Sequence, residues 1–292
     1  MISIDPKEVS VGALHGYLLG AVSPRPICFA STVDSEGNIN LSPYSFFNVF
    51  SANPPIMIFS PARRVRDNTT KHTLENVLET KEVVINIVSH AMVQQMNLSS
   101  TEYDKGVNEF TKAGFTQMPS NIVKPPRVKE APVQFECKVN EVIGLGSEGG
   151  AGNLVICEVV KVHLHKEILD AEGKIDPFKI DTVARMGGNW YSRAKEGIFE
   201  VEKPLRTLGI GVDRLPLAIK LSKTLTGNDL GMLGNVEMLP NSSEIDTFVD
   251  QASEPYQYLI SSGTEAEIHE EAQSLLQQGN VTEAWLLLLS KK

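Results

Sequence analysis

The hydrophobic positions of the chain follow one pattern before about residue 200 and another after it. In the first part, short apolar and β-branched runs such as residues 27–33 are separated by turn residues, and two longer runs, 133–143 and 154–164, alternate apolar with polar side chains. Alternation with a period of two is typical of half-buried β-strands. The first part is therefore predicted to be mainly β, and residues 27–41 to form a hairpin around a polar turn at 34–38.

Helical spacing interrupts this β pattern in two places. Polar residues at 67–70 precede apolar positions at helical spacing, which predicts a helix that begins near Thr70 to Thr73 and ends near Thr80. Residues 90–98 are predicted to form a second helix, whereas residues 56–60 and 83–88 are compact apolar runs typical of strands. The pattern thus combines a β structure with a few connecting helices.

The second part of the chain predicts a mostly helical extension. Thr264 and Glu267 have the spacing of a capping box at the start of a helix, and Gly279 suits its end. A final short helix carries Trp285 and four consecutive leucines at 286–289, which cannot all lie on one helix face. We therefore expect that end of the chain to be buried against the body of the protein or a second subunit. The predicted domains are residues 1–200 and 201–292.

Charge and cysteine content exclude several classes of protein. The chain has 292 residues, with 27 Lys and Arg against 36 Asp and Glu, so its net charge of −9 should repel nucleic acids and anionic membranes. Its three cysteines lie far apart without a C-x-x-C pair, which argues against a disulfide framework or a zinc ribbon and fits a reducing cytoplasm. Asp5 near the start and His15 within the apolar stretch 11–22 predict neither a signal peptide nor a membrane span.

Two candidate motifs have simpler structural explanations. Residues 144–149 match the dinucleotide-binding pattern G-x-G-x-x-G, but the following residues 153–157 are typical of a strand, whereas that fingerprint requires a helix. A mobile hairpin tip is the interpretation we prefer. His163 and His165 have the spacing of two ligands on one strand face, yet no further Cys or His nearby completes a metal site. We therefore predict no metal site, and Cys28 is expected to be an ordinary buried residue.

The strongest chemical signal is the segment 60–73, Ser-Pro-Ala-Arg-Arg-Val-Arg-Asp-Asn-Thr-Thr-Lys-His-Thr. It concentrates three arginines, a lysine and several hydroxyl groups between a predicted strand end and a predicted helix start. Free backbone N–H groups, a positive helix end and Arg side chains together make a phosphate site. The alternative is a solvated basic turn without a ligand.

An ordered series of further motifs resembles the flavin reductase-like group of FMN-binding split barrels, close to the flavoredoxins. The resemblance extends over roughly residues 10–193. His72 departs from it, since many members carry Asp there, and the basic segment is longer than in compact flavin reductases. The matching segments are Ser23-Pro24-Arg25-Pro26-Ile27, Ala30-Ser31-Thr32, Gly37, Asn40-Leu41-Ser42-Pro43-Tyr44-Ser45-Phe46-Phe47-Asn48, Asn53-Pro54-Pro55, Lys71-His72-Thr73 with Asn76, and Arg185-Met186-Gly187-Gly188 with Trp190-Tyr191.

This resemblance implies a set of cofactor contacts. It implies that the flavin ring and ribityl chain are lined by residues from two strand regions, namely Ala30, Ser31, Thr32, Ser45, Phe46 and Asn48. It implies that the phosphate is bound by side chains of the basic segment, namely Ser60, Arg63, Arg66, Lys71 and Thr73. Arg185, Trp190 and Tyr191 are expected near the flavin at a homodimer interface, and the alternative for them is a structural turn.

The implied fold is a β-barrel with helices, an FMN-binding split barrel followed by the mostly helical extension. The implied function is an FMN-dependent oxidoreductase that takes electrons from NAD(P)H. Because the flavin carries the chemistry in such proteins, no catalytic side chain is expected. Two alternatives stay open at this point: a non-catalytic FMN-binding or electron-carrier protein, and a dimeric split barrel that has lost its flavin.

Overall fold

A computed structural model describes residues 1–201, 203–205 and 207–291 of the chain. It divides the chain into two compact units, Met1–Phe199 and Glu200–Lys292. Residues 202, 206 and 292, which belong to the predicted helical extension, lie outside the described residues. That the two parts act as separate domains stays a prediction.

The first unit is built around a seven-stranded antiparallel sheet with the strand order β2-β1-β5-β8-β9-β4-β3. Two small two-stranded sheets, β6-β7 and β10-β11, accompany it. The strands are β1 Cys28–Val33, β2 Ile39–Tyr44, β3 Phe47–Ala52, β4 Pro55–Phe59, β5 Glu82–Ile87, β6 Gln117–Met118, β7 Arg127–Val128, β8 Val133–Gly144, β9 Asn153–Leu164, β10 Val183–Arg185 and β11 Tyr191–Arg193. The helices are α1 Val11–Ala21, α2 His72–Thr80, α3 Val93–Leu98 and α4 Glu109–Ala113.

Most elements predicted from periodicity are confirmed. The hairpin is formed by β1 and β2, in which Val33 pairs with Ile39, and α2 ends at Thr80 as expected. The prediction did not include α1, whose residues are mainly apolar and include none that is buried. It also did not include β3, an edge strand in which Val49 and Phe50 are exposed, because exposed apolar residues do not produce an alternating pattern.

Strand β1 separates two hydrophobic clusters. Its side chains alternate, so that Cys28 and Ala30 join one cluster while Phe29 joins the other. Helix α2 covers the first cluster with Leu74 and Val77. Every residue of β1 is buried, because the strand is paired with β2 on one side and with β5 on the other.

A buried carboxylate fixes the proline-rich connection between β6 and β7. Glu136 of β8 is fully buried and accepts hydrogen bonds from three consecutive backbone N–H groups, those of Asn121, Ile122 and Val123, at 2.6 to 3.2 Å. The Nε2 atom of His163 lies 2.7 Å from the same carboxylate. Of the two histidines considered as metal ligands, His163 and His165, His163 thus has a structural role, because it pairs with the Glu136 carboxylate.

The second unit is helical and has its own core. Its helices are α5 Leu217–Lys220, α6 Gly227–Gly234, α7 Ser242–Gln251, α8 Tyr256–Ser261, α9 Glu265–Gln277 and α10 Val281–Leu289. The predicted capping box of Thr264 and Glu267 is present at the start of α9. Trp285 and Leu287 are buried in a cluster with residues of α5, α6, α8 and α9. The apolar end of the chain therefore packs inside the second unit itself.

In the described part of the chain, no helix has both the length and the apolar character needed to cross a bilayer.

Candidate functional site

The predicted phosphate segment forms a loop, here called the basic loop (residues 60–71), between the end of β4 and the start of α2. Two of its arginines, Arg63 and Arg64, fold back on the loop itself. The Arg64 side chain donates hydrogen bonds from Nη1 to Thr69 Oγ1 at 2.8 Å and to the Thr70 carbonyl. The Arg63 side chain donates from Nε and Nη2 to the Asn68 side chain and carbonyl at 2.6 and 2.7 Å. The loop is thus ordered by its own cationic side chains.

The glycine-rich hairpin tip between β8 and β9 holds the basic loop from outside. The Arg63 N–H donates to the Ala151 carbonyl at 2.9 Å, and the Gly150 N–H donates back to the Arg63 carbonyl at 3.0 Å. A Cβ atom at Gly149 would lie only 3.0 Å from the Val65 carbonyl oxygen, so glycine permits this close approach. The structure confirms the hairpin and shows its tip hydrogen-bonded to the basic loop, while the mobility of the tip stays a prediction.

Three cationic side chains of the basic loop converge on one carboxylate. Glu102 lies 3.0 Å from Arg64 Nε, 3.0 Å from Arg66 Nη2 and 3.5 Å from Lys71 Nζ. Hydrogen bonds from Arg66 and Arg64 lower the pKa of the Glu102 carboxyl, so it is ionised at neutral pH. Glu102 follows α3 and is 38 residues away from Arg64 in sequence, which is why no sequence pattern connects the two.

The basic loop is a local positive region in an acidic protein. Four cationic side chains, Arg63, Arg64, Arg66 and Lys71, face two carboxylates, Asp67 and Glu102, which leaves a surplus of two positive charges. Within the described residues, the Arg63 guanidinium donates only to the neutral oxygens of Asn68. The whole chain has a net charge of −9, so this surplus marks the loop as a place where an anion is attracted.

A groove of about 320 Å³ runs along the basic loop. Besides Arg63, Arg64, Arg66, Lys71 and Glu102, it is lined by Val11 and His15 of α1, by Gly150 of the hairpin tip, and by Ala62 and Val65 of the basic loop itself. Its size suits the phosphate and part of the chain of a nucleotide-like ligand rather than a whole dinucleotide.

The predicted ring contacts Ser45, Phe46 and Asn48 lie where β2 passes into β3. Phe46 contacts a residue of this groove, whereas Asn48 lines a separate apolar groove. Phe46 is 40% exposed, and its ring meets His15 of the groove edge-on with the centroids 6.3 Å apart. The backbone carbonyl of Phe46 accepts a hydrogen bond from the N–H of Ser60 at 2.9 Å. Phe46 therefore places an accessible aromatic ring against His15 in the wall of the groove.

The predicted residues Arg185, Trp190 and Tyr191 belong to the hairpin formed by β10 and β11. The Arg185 guanidinium stacks over the Tyr191 ring at 4.6 Å, whereas Trp190 is 77% exposed. Arg25 connects this hairpin to the ring region, because it donates to the Met186 carbonyl at 2.9 Å and to Ser45 Oγ at 3.4 Å. The hairpin also lines a separate polar groove of about 640 Å³ next to α3.

Four other predicted contact residues are enclosed by protein. Ala30, Ser31 and Thr32 lie in β1 with no exposed surface, and Thr73 is equally buried with its hydroxyl accepting from Asn40 Nδ2 at 2.7 Å. The structure therefore does not bring them to the surface that Phe46 and the basic loop share. Their burial follows from the central position of β1 and from α2 packing against it.

Ser60 occupies an intermediate position. It is 8% exposed, and its hydroxyl accepts a hydrogen bond from the Asn153 N–H at 3.0 Å.

Three further residues, Arg64, Glu102 and His15, line the groove without having been predicted. The sequence contained a signal only for Arg64, which stands within the basic run.

Comparison with known proteins identifies the first unit. Residues 20–179 match the family model described as "Flavin reductase like domain". An uncharacterized protein of Aquifex aeolicus is 38% identical over 188 residues, which is 64% of this chain and 93% of that protein.

Two solved structures are similar to this chain. Nitrilotriacetate monooxygenase component B from Bacillus cereus is 30% identical with a TM-score of 0.64, and the match covers 70% of this chain and 98% of that one. A protein from Shewanella frigidimarina that is described as a flavin reductase with a split barrel domain is 27% identical with a TM-score of 0.59, and the match covers 70% of this chain and 99% of that one. The first unit therefore has the split-barrel fold that the motifs implied.

Proposed function

Since the chain belongs to the flavin reductase-like domain family, we propose that it is an FMN-dependent oxidoreductase that takes electrons from NAD(P)H. The observation that carries this proposal is the groove lined by four cationic side chains of the basic loop, whose wall residue His15 meets the partly exposed ring of Phe46 edge-on. A flavin mononucleotide needs this combination, because its phosphate is dianionic and its ring is flat and uncharged. The proposed cytoplasmic location accords with its buried, unpaired cysteines.

The donor set of the basic loop fits a phosphate. Arg63 carries no carboxylate partner among the described residues, and Arg66 is 73% exposed at the mouth of the groove. Lys71 is the residue before α2, whose positive end also favours an anion, and its Nζ lies 3.5 Å from Glu102 Oε1. We propose that Arg63, Arg66 and Lys71 bind the phosphate, together with Arg64.

The ring would lie on the surface formed by Ser45, Phe46 and Asn48. When bound, FMN supplies the chemistry of accepting a hydride and passing electrons on. Phe46 offers one face of an aromatic ring for packing, and Arg25 fixes the position of Ser45 through its 3.4 Å hydrogen bond. Ala30, Ser31 and Thr32 lie in β1, which pairs with β2, the strand that leads into Ser45. The role of the protein is thus to bind the flavin and to orient its ring. Arg185 and Tyr191 of the neighbouring hairpin would extend the surface on which the ring lies.

We also propose that the protein is a homodimer. Strand β3 lies at the edge of the sheet, with Val49 57% exposed and Phe50 63% exposed. An apolar groove of about 390 Å³ lies beside it and is lined by Phe47, Met57 and Phe135 among other residues. Exposed apolar surface of this kind is typical of protein interfaces. Sedimentation equilibrium measures the mass directly, and a monomer at micromolar concentration would contradict the proposal.

The proposed activity is tested on the purified full-length protein mixed with FMN. We expect an absorbance spectrum with the shifted bands of bound flavin and, without oxygen, bleaching of those bands when NADH or NADPH is added. Bound FMN that neither nicotinamide reduces would indicate an electron carrier or a flavin-binding protein without reductase activity. Protein that neither shifts the FMN spectrum nor quenches FMN fluorescence would indicate a split barrel that has lost its flavin.

Lys71→Ala is expected to weaken the binding of FMN more than that of riboflavin, which lacks the phosphate. A hydrogen bond to a charged group contributes about 1.5–3 kcal/mol, and this contribution should be lost for FMN alone. Dissociation constants for both flavins, measured by fluorescence quenching, give the difference. Lys174→Ala is the matched control, because Lys174 is an exposed lysine paired with Glu172 in a turn outside the groove. Equal losses for both flavins would mean that the basic loop is only a solvated turn.

A further inference from the structure

Glu102 is the one acidic side chain among the described residues that lines the groove of the basic loop. Its two oxygens divide the cations between them: Oε1 contacts Arg64 and Lys71, and Oε2 contacts Arg66. The same side chain also lines a smaller cavity, of about 30 Å³, with Arg64 and Lys71 on its wall. Glu102 therefore stands between the cationic groups that the proposed function assigns to a phosphate.

A carboxylate and a phosphate bind to the same hydrogen-bond donors, here the side chains of Arg64, Arg66 and Lys71. Both present oxygens that accept charge-assisted hydrogen bonds from guanidinium groups, and Arg binds either one with two N–H groups. Glu102 is 41% exposed, so water screens its ion pairs and leaves them weak enough to exchange. No described contact ties the Glu102 carboxylate to any group outside the basic loop.

We propose that Glu102 is a specificity-determining residue that competes with the flavin phosphate for Arg64, Arg66 and Lys71. This inference rests on the proposed function for the identity of the ligand, and on the observed contacts for the competition. A ligand phosphate reaches the three cations only by displacing Glu102 or by sharing them with it. In either case the carboxylate repels the dianion, so FMN binds less tightly than the four cations alone would allow.

As a consequence, bound FMN exchanges with FMN in solution and does not stay permanently bound. With Glu102 ionised, the phosphate meets a surplus of two positive charges, and without its charge the surplus becomes three. Riboflavin has no phosphate, so its binding is indifferent to this charge. Glu102 therefore lowers the preference for FMN over riboflavin.

The test is Glu102→Gln in the full-length protein, since Gln preserves the length of the side chain and one oxygen acceptor. We expect the dissociation constant for FMN to fall about tenfold, which corresponds to 1.4 kcal/mol, while that for riboflavin stays the same. Glu172→Gln is the matched control, because it removes the same charge from an exposed ion pair with Lys174 at 2.6 Å. The dissociation constants for FMN and riboflavin should both stay the same in this control variant.

Inorganic phosphate is the second probe, measured by phosphorus NMR line broadening, and it separates this inference from the proposed function. Tighter binding of inorganic phosphate in Glu102→Gln supports the competition even if neither flavin binds, an outcome that would refute only the proposed function. Unchanged or weaker binding of both FMN and inorganic phosphate, in a variant that melts like the wild type, would overturn the inference. An equal gain for riboflavin would also overturn it, because the phosphate would then not be the group that Glu102 opposes.

Discussion

Trp285→Ala is expected to destabilise the helical second unit strongly and to leave flavin binding by the first unit intact. Trp285 is 1% exposed, and its indole N–H donates to the Leu233 carbonyl at 3.1 Å. Truncating a buried Trp to Ala costs about 3–5 kcal/mol through lost burial and the cavity that remains. Since a domain of this size is stable by roughly 5–15 kcal/mol, the loss is a large part of the total.

The chain offers a matched control in Trp190→Ala. Trp190 is the other tryptophan of the chain, belongs to the first unit and is 77% exposed, so its truncation should leave stability nearly unchanged. Because Trp190 was predicted near the flavin, its truncation is expected to affect flavin binding instead. Trp285→Ala should thus lower stability without changing flavin affinity, whereas Trp190→Ala should change flavin affinity without lowering stability.

Thermal unfolding followed by far-ultraviolet circular dichroism, with FMN titrations on each variant, checks both expectations. The helical unit contributes strongly to that signal, so its early melting in Trp285→Ala should appear as a separate transition. A variant that melts as one transition with lost FMN binding would contradict the prediction. It would show that the second unit contributes to the flavin site.

The sequence was informative wherever a single stretch of chain carries the signal. The alternating runs of β8 and β9, the hairpin of β1 and β2, and the capping box of Thr264 and Glu267 are local features, and the structure has each of them. The basic loop is local as well, because its arginines and Lys71 lie within nine positions of one another in the chain. These elements were predictable because each depends on residues that are only a few positions apart in the sequence.

The groove itself depended on contacts between distant segments. Glu102 reaches the basic loop from beyond α3, His15 reaches Phe46 from a helix that periodicity did not indicate, and Gly149 approaches Val65 from the hairpin tip. The resemblance pointed to Ala30 and Thr73 by their place in a motif, but sheet pairing and helix packing determine which residues are exposed. Their burial follows from tertiary packing, which a motif does not display, and their contact with a flavin stays a prediction.

Glu136→Gln is expected to lower the free energy of unfolding of the first unit by about 1–3 kcal/mol near neutral pH, the cost of leaving a hydrogen-bond donor without its partner. Burial alone would raise the pKa of the Glu136 carboxyl, but hydrogen bonds from the backbone of 121–123 and from His163 outweigh it and bring the pKa to about 2. Gln preserves one acceptor oxygen and places an amide N–H₂ group against backbone donors. At least one of those buried N–H groups would lose its partner.

The pH dependence has a definite sign. The pKa of Glu136 is lower in the folded protein than the value of about 4.3 expected in an unfolded chain. Its contribution is therefore complete above roughly pH 5 and is lost as the pH falls from there towards 2. The wild type should lose stability over that interval, and the difference between wild type and Glu136→Gln should shrink with it.

Amide hydrogen exchange at Asn121, Ile122 and Val123 reports the local effect, and urea unfolding at a series of pH values reports the global one. Glu141→Gln is the control, since Glu141 lies on the same strand but is exposed, so that its loss should change neither measurement. If Glu136→Gln were as stable as this control, the three short hydrogen bonds would contribute nothing net. The proline-rich connection would then be held by its packing alone, and the protection of these amides would survive the substitution.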